Sequence, residues 1–208
     1  MDSKKRILLT GFEPFGGSQV NPTQQIAIAL NGSCIGQSEV QSAILPVDRK
    51  AGPQTLLERM IALEPAAVLC LGEASRRVAI SVERIAINWM DYRIPDNQGE
   101  QVTDLPIAPE GPAAYFSTLP VREIYEQIVA AGIPAELSLS AGAYLCNQVF
   151  YTGLHYLATH GKYNPFGFIH LPSLPEQVAH SLSLYGSMSL ETDLKAVHIA
   201  LTVIEKRI

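Results

Sequence analysis

Cysteine is scarce in this chain. Only Cys34, Cys70 and Cys146 occur among 208 residues. None stands in a Cys-x-x-Cys pair or beside histidines at zinc-ligand spacing, which excludes a disulfide framework and a cysteine-built zinc site. An odd set of unpaired thiols makes a reducing cytoplasm the expected location. Charge is also sparse, at 17% of residues with a net charge of −5. No Lys/Arg stripe interleaves with aromatics, so nucleic acid is not an expected partner. No apolar run reaches membrane-spanning length, and Met1-Asp-Ser-Lys-Lys-Arg6 passes directly into a strand without the apolar core of a signal peptide. There is no internal repeat, low-complexity tract or linker, and residues 1–208 are expected to form a single domain.

What the chain does have is apolar residues, 47% of the total, enough for a large interior and for a subunit interface besides. Strand-like and helix-like segments alternate along it. Expected strands are Arg6 to Thr10, Glu39 to Leu45, Ala66 to Leu71, an extended run from Val78 to Trp89, Ile133 to Leu139 and Phe166 to Leu171. Expected helices start at Asn21-Pro22 and run to Asn31, then cover Arg49 to Leu63, Val121 to Ala131, Tyr144 to His160, and Leu190 to Lys206 behind a Ser189 cap. The stretch from Val102 to Leu119 has no clear period and reads as a long irregular loop. This alternation predicts an α/β/α sandwich with a mainly parallel twisted sheet flanked by helices, in which ligands gather at the carboxyl ends of strands.

One stretch suggests chemistry. A strand, then the small residues Ser140, Ala141 and Gly142, then a long helix place Cys146 in the first turn of that helix. Unpaired N–H groups and the positive helix end favour a thiolate there, and the same groups suit a developing oxyanion. The order matches a nucleophile elbow with sulfur for oxygen. The competing reading is a buried structural cysteine. Cys70, in the apolar run Ala66 to Leu71, reads as core, and Cys34 reads as a loop residue without an activating neighbour.

A thiol nucleophile needs a base, and the base needs orienting. His155 and His160 lie too far along the cysteine's own helix, while His180 and His198 read as solvated or structural. His170 ends a strand and is expected at the sheet edge that holds the cysteine turn. Glu83 sits in an extended run with apolar residues on both faces, so burial would require a partner. That partner is either an arginine, among Arg76, Arg77 and Arg84, or the ring of His170. The turn Gly11 to Gly17 lacks Gly-x-Gly-x-x-Gly spacing, and Phe12 and Phe15 project from it. They suit a flat uncharged ligand better than a phosphate, or else simply fill the core.

Four segments taken together resemble the pyroglutamyl peptidase I family: Leu8 to Gly17 with Asn21-Pro22, Ile80 to Asn88 leading into Asp91 to Asn97, Leu137 to Asn147, and Phe168 to Pro172. The resemblance implies an α/β/α subunit, often a homotetramer, that removes an N-terminal pyroglutamyl residue from peptides with no metal or organic cofactor. It implies Cys146 as nucleophile, His170 as base and Glu83 as the acid orienting the histidine. Phe12 and Phe15 match aromatics flanking the lactam, Ile94, Tyr144 and Leu145 match further pocket positions, and Arg93 matches an arginine near the nucleophile. The family commonly carries Gly-Gln-Ala-Gly-Gly-Arg where this chain has Gly72-Glu-Ala-Ser-Arg-Arg77. Glu73 therefore puts a carboxylate beside a neutral lactam if it points inward, and Ser75 resists backbone angles that glycine permits. Residue chemistry alone reaches a thiol acyl-transfer enzyme; two alternatives to the peptidase are a non-catalytic lactam-binding protein on the same scaffold and a cysteine amidohydrolase of a different small amide.

Overall fold

The computed structural model describes residues 4–179 and 186–208; His180 lies outside the described residues. Along the chain the elements are β1 (Arg6–Phe12), α1 (Pro22–Leu30), β2 (Cys34–Ile35), β3 (Ser38–Leu45), α2 (Ala51–Leu63), β4 (Ala67–Glu73), β5 (Ile80–Glu83), β6 (Ile85–Ile87), β7 (Ala114–Phe116), α3 (Val121–Ala130), β8 (Ala135–Ser138), α4 (Leu145–Thr159), β9 (Phe166–Leu171), α5 (Pro175–Val178) and α6 (Leu190–Glu205). Seven strands form one sheet in the order β2-β3-β1-β4-β9-β5-β8, and β6 and β7 pair separately. The pairs β1–β3, β1–β4, β4–β9 and β5–β8 are parallel.

Both faces of the central strands are covered, as parallel sheets require. Ile7, Leu9, Leu69 and Leu71 point to one side, against Ile26 of α1, Ile124 and Ile128 of α3, and Val197 and Leu201 of α6. Leu8, Val68 and Cys70 point to the other, against Leu56 and Met60 of α2 and Val149 and Phe150 of α4. Cys70 is fully buried, and burial pushes its thiol up to about 12, which suits a core residue. The expected α/β/α layering with a mainly parallel sheet is the observed one.

Local chemistry sets several boundaries. The Asn21 side chain accepts from the Thr23 N–H and Pro22 opens α1; Ser189 caps α6 through the Thr192 N–H. Glu64, at φ 43°, ends α2 in the left-handed conformation just before Pro65. The extended run from Val78 to Trp89 divides at Arg84 between two sheets. Its two parts answer to different neighbours, β5 to the main sheet and β6 to β7. The stretch expected to be irregular contains β7, and the short elements β2 and α5 leave no mark in the sequence, since two to four residues carry no period. No helix among the described residues is long and apolar enough to cross a membrane.

Asp193 of α6 is fully buried, and neither carboxyl oxygen has a hydrogen-bond partner among the described residues. Burial first, then the nearby Glu73 carboxyl, push its pKa from 3.8 to about 8. A raised acid binds a proton when folded that the unfolded chain has released. Stability is therefore expected to fall as pH rises between roughly 4 and 8, by at most about 1.4 kcal/mol per pH unit, and to level off above that window. Asp193→Asn should flatten the slope. Urea midpoints measured across the window check this, and an unchanged slope in the variant would refute it.

Candidate active site

The site is assembled across the middle of the sheet. In the ladder, Gly72 of β4 stands beside His170 of β9, and His170 stands opposite Ser81 of β5. Strand β5 runs antiparallel to β9, with Glu83 opposite Phe168. Glu83 and His170 are therefore diagonal neighbours, close enough for side-chain contact. Glu83 Oε1 accepts from His170 Nδ1 at 2.7 Å and from Arg77 Nη1 at 2.5 Å. Both partners open in the sequence are realised, on a single oxygen. Arg77 also donates through Nη2 to the Ser140 carbonyl at 2.7 Å, which ties the acid to the turn before α4.

Glu83 is fully buried and His170 nearly so. Burial alone would raise the acid's pKa. The hydrogen bond and charge of His170, the Ser138 hydroxyl and the Arg77 guanidinium outweigh it and hold the carboxyl below its ordinary 4.5. An ionised Glu83 accepts the Nδ1 proton, which leaves Nε2 as the ring's free nitrogen.

Cys146 is the second residue of α4, after the Tyr144 N-cap. Strand β8 runs parallel to β5 and so opposite to β9. The chain thus leaves β8 heading away from the edge where His170 sits, unlike the simple elbow read from the sequence. Residues 139–144 reverse it, with Gly142 at φ 80°, a conformation glycine adopts at little cost. Asn147 then fastens the first turn of α4. It accepts from the Ile87 N–H at 2.9 Å and donates to the Ile87 and Trp89 carbonyls at 2.9 and 3.0 Å. Gly72 provides the space in which the sulfur rests: a Cβ built there would lie 2.8 Å from Cys146 Sγ and 2.7 Å from the Phe168 ring.

The thiol and the imidazole line one cavity of about 250 Å3, with no hydrogen bond joining them in this arrangement. Burial, followed by the Glu83 charge, pushes the Cys146 thiol up to about 12, against the lowering by Arg77 and the residue's own backbone N–H. Burial thus works against the thiolate that the helix start favours.

Three adjoining cavities form the cleft, and Phe15 and Glu73 wall all of them. The smallest, about 40 Å3, lies between Phe12, Phe15, Tyr144, Leu145 and Cys146, with Asn21 and Val47 completing it. Phe12 serves both readings, being 3% exposed in the core with an edge on this cavity. Tyr144 is braced by Tyr92, ring centroids 4.5 Å apart, and donates to the Pro95 carbonyl. Arg93 and Ile94 line the two larger cavities. Glu73 does point inward. Its carboxyl accepts from Ser173 Oγ at 2.6 Å and Gln177 Nε2 at 3.1 Å, and burial, only partly offset by these bonds, raises its pKa.

Asn21, Val47, Ser173 and Gln177 were missed as cleft residues, and only Asn21 carried any signal, as a helix cap. His155 is engaged by Tyr115, and His160 and His198 are exposed away from the cleft. Among the described residues no group of three His, Cys, Asp or Glu side chains could hold a metal ion.

A helix-end thiol and an acid-held imidazole opening on one cleft of an α/β sheet define the class of cysteine-type hydrolases. The pyroglutamyl peptidase family pattern matches residues 5–207. A pyrrolidone-carboxylate peptidase of Pyrococcus furiosus is 45% identical over 201 residues, covering 95% of this chain and 97% of its own. One from Vibrio vulnificus is 47% identical over 188 residues, covering 90% and 87%. The solved pyrrolidone carboxyl peptidase of Thermococcus litoralis superposes with a TM-score of 0.94 at 43% identity, covering 97% of this chain and 94% of that one. A variant of the P. furiosus protein gives 0.95 at 43%, covering 98% and 99%. The chain belongs to the pyroglutamyl peptidase family and is a cysteine-type enzyme.

Proposed function

We propose that the enzyme hydrolyses the amide bond after an N-terminal pyroglutamyl residue of peptides through Cys146, His170 and Glu83. The observation that carries this reading is the 2.7 Å bond from His170 Nδ1 to Glu83, which frees Nε2 in the ring that shares the cavity with Cys146. Because burial disfavours a lone thiolate, attack needs a base. His170 Nε2 takes the Cys146 proton as sulfur bonds to the scissile carbonyl carbon. Glu83 stabilises the imidazolium that forms. The N–H groups of the first turn of α4, with Arg93 nearby, hold the oxyanion; one such donor is worth roughly 3 kcal/mol of barrier. The tetrahedral species collapses with loss of the C–N bond, and the imidazolium protonates the departing amine. Water, deprotonated by His170, then attacks the thioester, and the thiol regains its proton.

The small cavity receives the lactam ring between Phe12 and Phe15, with Tyr144 and Leu145 around it and Ile94 at its approach from the larger cavities. An apolar clamp disfavours a charged amino terminus by desolvation. Glu73, with its raised pKa and two fixed hydrogen bonds, stands in the wall as a polar group held in place. The unpaired cysteines support a cytoplasmic location. Exposed apolar side chains such as Phe116, 70% exposed, leave surface for contact between copies; the homotetramer itself rests on the family resemblance, and a sedimentation measurement checks it.

The test is a chromogenic pyroglutamyl amide offered to the purified protein beside glutamyl, alanyl and prolyl amides. Release is expected from the first alone, and alkylation of the thiol is expected to abolish it. Lactam binding without release would point to a non-catalytic binding protein. Release from another amide instead would point to a different amidohydrolase.

A further inference from the structure

We propose that the cleft favours substrates whose leaving part carries a carboxylate close to the scissile bond, and that Arg76 and Arg93 are the groups that recognise it. This rests on the reading of Cys146 as the nucleophile. The cavity that holds Cys146 and His170 is lined by three arginines, Arg76, Arg77 and Arg93, against one carboxylate, Glu73. Arg77 is engaged by Glu83 and the Ser140 carbonyl. Arg76 and Arg93 are exposed and form no ion pair among the described residues. Glu73 does not neutralise them, since its carboxyl is bound to Ser173 and Gln177.

The positive excess is local. The chain as a whole carries −5, and the adjoining cavity of about 660 Å3 sets Arg93 against Glu73 and Glu176. A concave wall of one sign inside a molecule of the other focuses field on whatever enters. The small cavity beside Cys146 contains no cation, so a lactam seated there sends its leaving part toward the arginines. Guanidinium groups match carboxylates in shape and donor geometry.

Two sources supply such a carboxylate: the free α-carboxylate of a pyroglutamyl dipeptide, and an Asp or Glu side chain directly after the pyroglutamyl residue. The experiment compares kcat/KM for pyroglutamyl-alanine with that for its C-terminal amide, and for pyroglutamyl-aspartyl amide with that for the asparaginyl amide. Each pair is run at low and high salt, in the native enzyme and in Arg76→Gln. Two exposed pairs are expected to give about a fivefold preference for the carboxylate in at least one arm at low salt. That ratio should shrink toward one at high salt and fall to about half in the variant, where Arg93 remains, and the responding arm identifies the source. Ratios near one in both arms, or a preference left undiminished in Arg76→Gln, overturn the proposal. If none of the four substrates is cleaved, the catalytic reading itself is overturned, and this proposal falls with it.

Discussion

Replacing Cys146 by alanine is expected to reduce turnover of a pyroglutamyl amide by on the order of 10^4-fold or more, with little change in melting temperature. The sulfur is the only group in the cavity that combines a helix start, a neighbouring imidazole and room to bond a carbonyl carbon. Deleting it leaves a void of about one atom above Gly72, with a stability cost on the order of 1 kcal/mol. Alanine and serine are both tolerated in the first turn of a helix, so neither variant should disturb α4. Serine should rescue little, because its hydroxyl is harder to deprotonate and the cavity already disfavours charge on this atom. Calorimetric titration of the alanine variant with pyroglutamate separates binding from chemistry: the lactam should still bind while turnover is lost. Full activity in either variant would remove Cys146 from the mechanism.

Much of this site is legible in one dimension because it depends on strand ends and small-residue turns. Phe166 to Leu171 matches β9 residue for residue, so His170 near its end could be placed without coordinates. Alternation around Glu83 implied burial and thus a partner. What alternation cannot supply is strand direction. That β5 runs against β9 decides that Glu83 meets the ring from beside Phe168, and this information lies in ladder pairing between segments some ninety residues apart. The desolvation that opposes a thiolate at Cys146 was out of reach for a similar reason. Helix position is a local property of the sequence, whereas the groups around the sulfur, such as Gly72 of β4 and His170 of β9, come from distant segments. Glu73 shows the same limit, since its two hydrogen-bond partners lie 100 and 104 residues away.

The second large effect is expected from Glu83→Gln, read against Arg77→Gln. A glutamine fits the same space, but its amide either accepts from Nδ1–H without a charge or turns and donates to Nδ1. The second arrangement moves the ring proton to Nε2, where the base must be free. A loss of roughly 10^2- to 10^4-fold in kcat is expected, with binding of pyroglutamate largely retained. Stability also falls, by up to about 3 kcal/mol, because Arg77 loses its counter-charge. The pH dependence has a defined sign. Glu83 is held below its ordinary 4.5, so its pairing stabilises the fold above that value, and the contribution is lost as pH falls beneath it; the glutamine variant should lack this loss. Arg77→Gln breaks the same ion pair but leaves the acid bonded to His170. It should cost comparable stability and far less turnover, under about tenfold. If the two variants lose kcat equally, Glu83 acts only through its bridge to Arg77 and does not orient the base. Unequal losses, in the predicted order, assign the orienting role to the oxygen that both partners share.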